Sequence, residues 1–308
     1  MDCKSFVTAC RLWETDKAHY VKPTTMAAYS LIIKRHLLPH FKILDDLDEE
    51  SVQRLVDMKI AEGLSITTVK GIALVLKMII QFCGKQGWME KKLIELRYPL
   101  RNKKPDPKVL SIEEEKRIVG RLTSKSYPMN LGLLLCLCCG LRIGEVCALK
   151  WKDINMDEMV IQIRRTVYRL YRPEQTPRSE LNIGLPKTAD SFREVPFGKE
   201  LASRIKEFRV TLRPDSEDLF ILSGNDKPLE PQSFRNYFRR VALAAGIKPR
   251  NVHSLRHTFA TRCVEGKCDF KTLSLLLGHS SVTTTLNLYV HPGLEQKRRC
   301  IEGRMRML

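Results

Sequence analysis

Apolar residues in the first hundred positions recur at intervals of three and four, the period of amphipathic helices. Tyr29, Ile32, Ile33, Leu37 and Leu38 make one such stripe, with Thr24 or Thr25 placed to cap its start and Pro39 near its end. Val52, Leu55, Val56 and Ile60 make a second after Asp48, closing near Gly63. Ile72, Leu74, Val75, Met78 and Ile79 make a third, opened by Thr67 or Thr68. The pattern predicts a small all-helical domain over residues 1–100. RNKKPDPK at 101–108 combines two prolines with basic side chains and has no large apolar residue, so it reads as a linker.

The second region, 109–308, is patterned differently. Ser111 followed by Ile-Glu-Glu-Glu has the form of an N-cap with acids in the first helical turn, where they suit the helix dipole. LGLLLCLCCGLRIGEVCALKW at 131–151 is apolar on nearly every face, which predicts a buried helix pair broken at Gly140, with Cys136, Cys138 and Cys139 as buried small hydrophobes. The period then shortens. Residues 159–167, 181–186 and 192–197 carry β-branched residues in partial alternation and predict one short antiparallel sheet with a turn near Thr188–Ser191. From 198 to 290 the helical period returns. The expected fold class is mostly α with a small antiparallel sheet: a helical domain followed by an α+β domain.

Composition narrows the partner. The chain has 53 Lys and Arg against 35 Asp and Glu, a formal net charge of +18. Residues 1–100 account for 15 basic and 12 acidic side chains, so most of the excess lies in the C-terminal two-thirds. A polyanion is the implied partner, nucleic acid ahead of an anionic membrane. No run of eighteen consecutive apolar residues is present. The first residues lack the apolar core of a secretory signal, and ten cysteines without one read as reduced thiols of a cytoplasmic protein.

Several side chains in the second region could carry chemistry. Arg142 follows the Gly140 break in the most apolar stretch, where a guanidinium is expensive to bury unless it meets an anion. Glu145, three residues on, could orient it, or the two could form a purely structural ion pair. His253 and Arg256 are three apart in HSLRH, His279 follows Gly278, and Tyr289 comes ten residues later. Two arginines suit phosphate oxygens through bidentate pairing, and a tyrosine adds a nucleophile. Lys187, beside a hairpin turn, is either solvated decoration or a proton donor on a flexible stalk. His253, His257, Cys263 and Cys268 do not converge along a continuous helical pattern, so no metal site is expected.

The set Arg142 in GLRIGE, Lys187 in PKTADSFREVP, His253 and Arg256 in HSLRH, His279 in LGH and Tyr289 in LNLY resembles the tyrosine recombinase, or phage integrase, family. The resemblance covers about residues 107–290, with 1–100 similar on weaker grounds to the family's core-type DNA-binding domain. It implies a site-specific recombinase that clamps double-stranded DNA between two domains, with catalytic residues Arg142, Lys187, His253, Arg256, His279 and Tyr289 and with Glu145 in support. Tyr289 would form a 3′-phosphotyrosyl link and release a 5′-hydroxyl. Arg142 and Arg256 would hold the phosphate oxygens and Lys187 would protonate the leaving oxygen. His253 would take the tyrosine proton, and His279 would hydrogen-bond the phosphate. No cofactor is implied, because the phosphotyrosyl link retains the bond energy. The reaction would be DNA integration, excision, inversion or resolution, the first two fitting a mobile element.

A tetramer on two recombination sites is implied, along with a possible accessory directionality factor and no membrane partner. Some 22 residues precede the first strong cap, too few for the additional arm-binding domain of many integrases. The tail 294–308, with Leu294, Ile301, Met305 and Leu308 at roughly helical spacing, would link neighbouring protomers or fold on its own. Two alternatives share the fold or the chemistry: a catalytically silent DNA-binding protein, and a type IB topoisomerase-like enzyme.

Overall fold

The computed structural model describes residues 5–90, 93–99, 109–171, 179–185, 191–248, 250–289, 298 and 302. The chain divides into two compact units. One comprises Met1–Lys104 with Arg169–Glu180, the other Pro105–Tyr168 with Leu181–Leu308. The expected linker 101–108 lies outside the described residues.

The first unit contains the helices α1 (Phe6–Ala18), α2 (Pro23–Ile32), α3 (Glu49–Ala61) and α4 (Ile66–Lys85), with a π-helical turn at Ile33–Leu37 prolonging α2. Side-chain caps set the starts of α3 and α4 as local chemistry dictates: Asp48 accepts from the Ser51 N–H at 2.7 Å, and Ser65 from the Thr68 N–H at 3.1 Å. Two expected caps are therefore corrected. α4 opens at Ser65, so Thr67 and Thr68 lie inside it. α2 begins at Pro23, whose fixed φ suits a first helical position, so Thr24 and Thr25 also lie inside their helix. α1, capped by Ser5, is an element the periodicity did not reveal, since its apolar stripe of Phe6, Ala9, Cys10 and Trp13 is short. These four residues join Leu37, Leu44, Leu47, Val52, Leu76 and Ile79 in one core. At 20 residues α4 is long and apolar enough to cross a membrane by composition. Its buried residues, Ile72, Leu76 and Ile79 among them, instead form the middle of this core.

The second unit is organised around α6 (Pro128–Cys139), whose residues 130–137 are all buried. A helix apolar all round needs neighbours all round. α5 (Ile112–Thr123), α8 (Lys199–Leu212), α9 (Pro231–Ala244) and α10 (His253–Glu265) supply them. Ser111 caps α5 as expected, and Glu114 answers it to complete a capping box. Cys136 and Cys139 are buried as expected, and burial pushes both thiols up, but Cys138 faces outward and is exposed. The expected break is also present: Gly140 adopts φ +64°, and α7 (Ile143–Cys147) follows.

The strands are β1 (Ile154–Asn155), β2 (Val160–Ile163), β3 (Thr166–Tyr171), β4 (Ser179–Gly184) and β5 (Arg193–Pro196). They form two sheets where one was expected. β2 pairs antiparallel with β1 and with β5, the latter in the register Ile161 to Val195 and Ile163 to Arg193, while β3 pairs with β4. β4 thus pairs away from β5, and residues 186–190, with most of the expected turn, lie outside the described residues. Two further helices, α11 (Phe270–Leu277) and α12 (Val282–Tyr289), complete the unit. The fold is mostly α with small sheets, the class expected.

Candidate active site

The site forms around the C-terminal end of α11. Asp269 caps the start of this helix through the Thr272 N–H at 2.9 Å, and Gly278 ends it at φ +61°, a conformation an L side chain rarely adopts. The final carbonyls of a helix lack intrahelical donors and carry the negative end of its dipole. Here three successive ones each receive a guanidinium. Arg193 donates from Nε to the Leu276 carbonyl at 2.7 Å, Arg256 from Nη2 to Leu277 at 2.6 Å, and Arg142 from Nη2 to Gly278 at 2.7 Å. The arginines come from β5, α10 and the residue preceding α7, so one helix end gathers three separate elements.

Glu145 braces two of them. It is 3% exposed, with Oε1 accepting from Arg142 Nη1 at 2.8 Å and from Arg193 Nη1 at 3.0 Å. Oε2 accepts from Arg193 Nη2 and from the Arg142 backbone N–H, both at 2.9 Å. Burial pushes the Glu145 pKa up, but the hydrogen bonds and charge of Arg193, followed by those of Arg142, outweigh burial and hold the carboxyl below its ordinary value. The Arg142–Glu145 ion pair read from the sequence is therefore present, as one edge of a larger cluster. Among the described side chains of this cluster, three guanidinium groups face one carboxylate, an excess of two positive charges. The Arg142 side chain is 32% exposed whereas Arg193 is 6% and Arg256 1%, so Arg142 is the arginine most open to an arriving anion.

His279 sits against this cluster. Burial, then the charges of Arg256, Arg142 and Arg193, push its pKa down to about 4, so the ring is neutral at physiological pH. Its Nε2 lies 3.0 Å from Arg256 Nη2, and its Nδ1 lies 2.9 Å from Thr285 Oγ1. A guanidinium can only donate, so Nε2 accepts and Nδ1 carries the proton that Thr285 receives.

The structure brings Arg142, Glu145, Arg256 and His279 together. His253 opens α10 one turn before Arg256, exposed, with its ring edge-on to His257 at 4.7 Å between centroids. It shares α10 with Arg256, three residues on. Tyr289 is the last residue of α12, the helix that contains Thr285. Lys187 lies outside the described residues. Sequence reasoning missed Arg193 and Thr285. The sole signal for Arg193 was a cation at an inward position of a strand, in FREVP; for Thr285 it was one threonine among three.

Residues 108–295 match the phage integrase family, and residues 5–59 match the N-terminal SAM-like domain of phage integrases. The chain belongs to the phage integrase family. It is 27% identical over 271 residues to a XerC-like tyrosine recombinase of Caldanaerobacter subterraneus subsp. tengcongensis, covering 82% of this chain and 69% of the relative. To the tyrosine recombinase XerA of Pyrococcus furiosus it is 28% identical over 244 residues, 79% of this chain and 76% of the relative. The fold is similar to that of the Tn1549 transposon integrase in complex with transposon right-end DNA, with a TM-score of 0.76 at 21% identity over 96% of this chain and 98% of that one. It is also similar to a lambda integrase dimer bound to a core site, with a TM-score of 0.66 at 19% identity over 95% of this chain and 79% of that one. The protein is thus an enzyme of the tyrosine recombinase class, as its motifs led us to expect.

Proposed function

We propose that this recombinase cuts and rejoins duplex DNA at specific sites, with Tyr289 as nucleophile and the arginine cluster at the end of α11 as the phosphate pocket. The observation that carries the reading is the gathering of Arg142, Arg193 and Arg256 on three consecutive carbonyls, with neutral His279 beside them and Tyr289 on the next helix. A phosphodiester carries one negative charge, and the cluster has positive charge in surplus to receive it. Arg142 and Arg256 hold the non-bridging oxygens as charge gathers on them in the transition state. His279, being neutral, can donate a hydrogen bond to phosphate without competing as a cation. His253, exposed at the head of α10, accepts the tyrosine proton, and Lys187 protonates the leaving 5′-oxygen. The phosphotyrosyl link stores the bond energy, and attack by a second 5′-hydroxyl reverses the step.

The partner is double-stranded DNA carrying recombination sites, bound by four protomers on two sites. We further assign the protein to the cytoplasm, to a domain arrangement of 1–100 and 109–308 joined by 101–108, and to the business of a mobile element, with an accessory protein setting direction. Titration of the chain with nicked DNA bearing its native site tests the chemistry. Tyr289→Phe keeps DNA affinity and abolishes the covalent adduct on denaturing electrophoresis. An adduct of normal yield in that variant overturns the nucleophile, and no adduct from the wild type favours a silent DNA-binding protein.

A further inference from the structure

Residues 283–285 are three consecutive threonines at the start of α12, chemically alike and differently placed. Thr283 and Thr284 are exposed, whereas Thr285 is fully buried at 0%. Burial of a hydroxyl is unfavourable unless it is hydrogen-bonded. Thr285 Oγ1 meets His279 Nδ1 at 2.9 Å, across the turn that joins α11 to α12. On the opposite side of the same ring, Nε2 accepts from Arg256 Nη2 at 3.0 Å. His279 is therefore clamped between one group that can only donate and one that can do either. Which ring nitrogen carries the proton is set by the partner of the other nitrogen.

We propose that Thr285 is a positioning residue for DNA cleavage, its hydroxyl fixing the His279 ring against Arg256 and permitting that ring to change tautomer when phosphate arrives. In the DNA-free protein Nδ1–H donates to Thr285 and Nε2 accepts from Arg256. A bound phosphate draws the Arg256 donors and presents an acceptor to Nε2. The ring then releases one proton from Nδ1 and gains one at Nε2 through water, remaining neutral. The threonine hydroxyl rotates from acceptor to donor and satisfies Nδ1 in the new state. Valine has the same shape and can do neither. Because Thr285 lies on α12, four residues before Tyr289, the same bond ties the nucleophile's helix to the phosphate pocket. This inference rests on the roles assigned above to His279 and Tyr289.

The test compares Thr285→Val and Thr285→Ser in the full chain, on nicked DNA carrying the native site. Thr285→Val slows adduct formation about ten- to a hundredfold at unchanged DNA affinity, the loss expected when a buried donor is left without its partner. Thr285→Ser, which restores the hydroxyl, recovers a rate within about threefold of wild type on the same grounds. Selective 15N-histidine NMR, with His279→Gln to assign the signal, reads the ring directly. The wild type without DNA shows Nδ1 protonated, and Thr285→Val loses that single tautomer. A wild-type rate in Thr285→Val, a Thr285→Ser variant as slow as Thr285→Val, or a DNA-free ring protonated at Nε2 each overturns the proposal. The NMR signal does not depend on which tyrosine cuts, so failure of the nucleophile assignment leaves that arm of the test intact.

Discussion

Replacing Glu145 with glutamine keeps the volume of a buried side chain and removes its charge. In the wild type its two oxygens accept four hydrogen bonds at 2.8–3.0 Å, from the Arg142 backbone, the Arg142 guanidinium and two nitrogens of Arg193. Glutamine offers one oxygen, and its amide places hydrogens where two donors already point. It also strands Arg193, only 6% exposed, without a counter-charge. Removing one partner of a buried ion pair typically destabilises by about 3–5 kcal/mol. For a unit of this size that lowers the midpoint of thermal unfolding by roughly 6–20 °C.

The pH dependence supplies a second signature. The Glu145 carboxyl is held below its ordinary value in the folded protein, so on acidification the unfolded chain takes up its proton first. The stabilisation is therefore complete above the unfolded-state value of about 4.3 and is lost as pH falls through the folded value. Wild type and Glu145→Gln should differ most at neutral pH and converge in acid. Adding Arg193→Met to Glu145→Gln removes the stranded cation and should recover part of the loss, a coupling that a double-mutant cycle measures. Urea unfolding at several pH values is the assay. A loss below about 1 kcal/mol at pH 7, the range of exposed pairs, would refute the view of Glu145 as the brace of the cluster.

Three further perturbations probe other parts of the site. Gly140→Ala places a Cβ 2.5 Å from Phe259 Cδ1 at a φ of +64°, which should destabilise by about 2–4 kcal/mol. It should also disturb the Gly140 carbonyl that accepts from Arg256 Nη1 at 2.7 Å; an unfolding midpoint unchanged from wild type would contradict this. His279, with its pKa pushed from 6.5 down to about 4, stays unprotonated in the folded state while the unfolded chain binds a proton across that window. Stability is thus full above the upper value and falls toward the lower, and His279→Gln should flatten that slope in unfolding measured between pH 7 and 4. Lys187→Ala should slow cleavage by about a hundred- to ten-thousandfold with binding nearly intact. A substrate with sulfur in place of the leaving 5′-oxygen should restore cleavage to this variant and leave Arg142→Ala slow; failure to rescue Lys187→Ala removes it as the acid.

Local chemistry decided what could be read along the chain. Asp48 and Ser111 cap helices because a short polar side chain satisfies backbone groups three residues away, and Gly140 ends α6 because a left-handed residue is needed there. The order of GLRIGE, HSLRH, LGH and LNLY named the family, since each motif is a short run with its own spacing. Pairing partners are not local, so the strands were recognised while their division into two sheets was not. Arg193 and Thr285 stayed hidden for the same reason. The carbonyls at 276–278 meet guanidiniums 83, 21 and 136 residues away in sequence, and no pattern along the chain records which cation ends at which acceptor. Thr283, Thr284 and Thr285 are equivalent until α12 packs, when the geometry of the helix turns one of them inward to His279. Sequence set the chemical groups and the ends of their helices; the site itself exists because tertiary packing brings one helix terminus, with its unsatisfied acceptors, to the point where three cations must be buried.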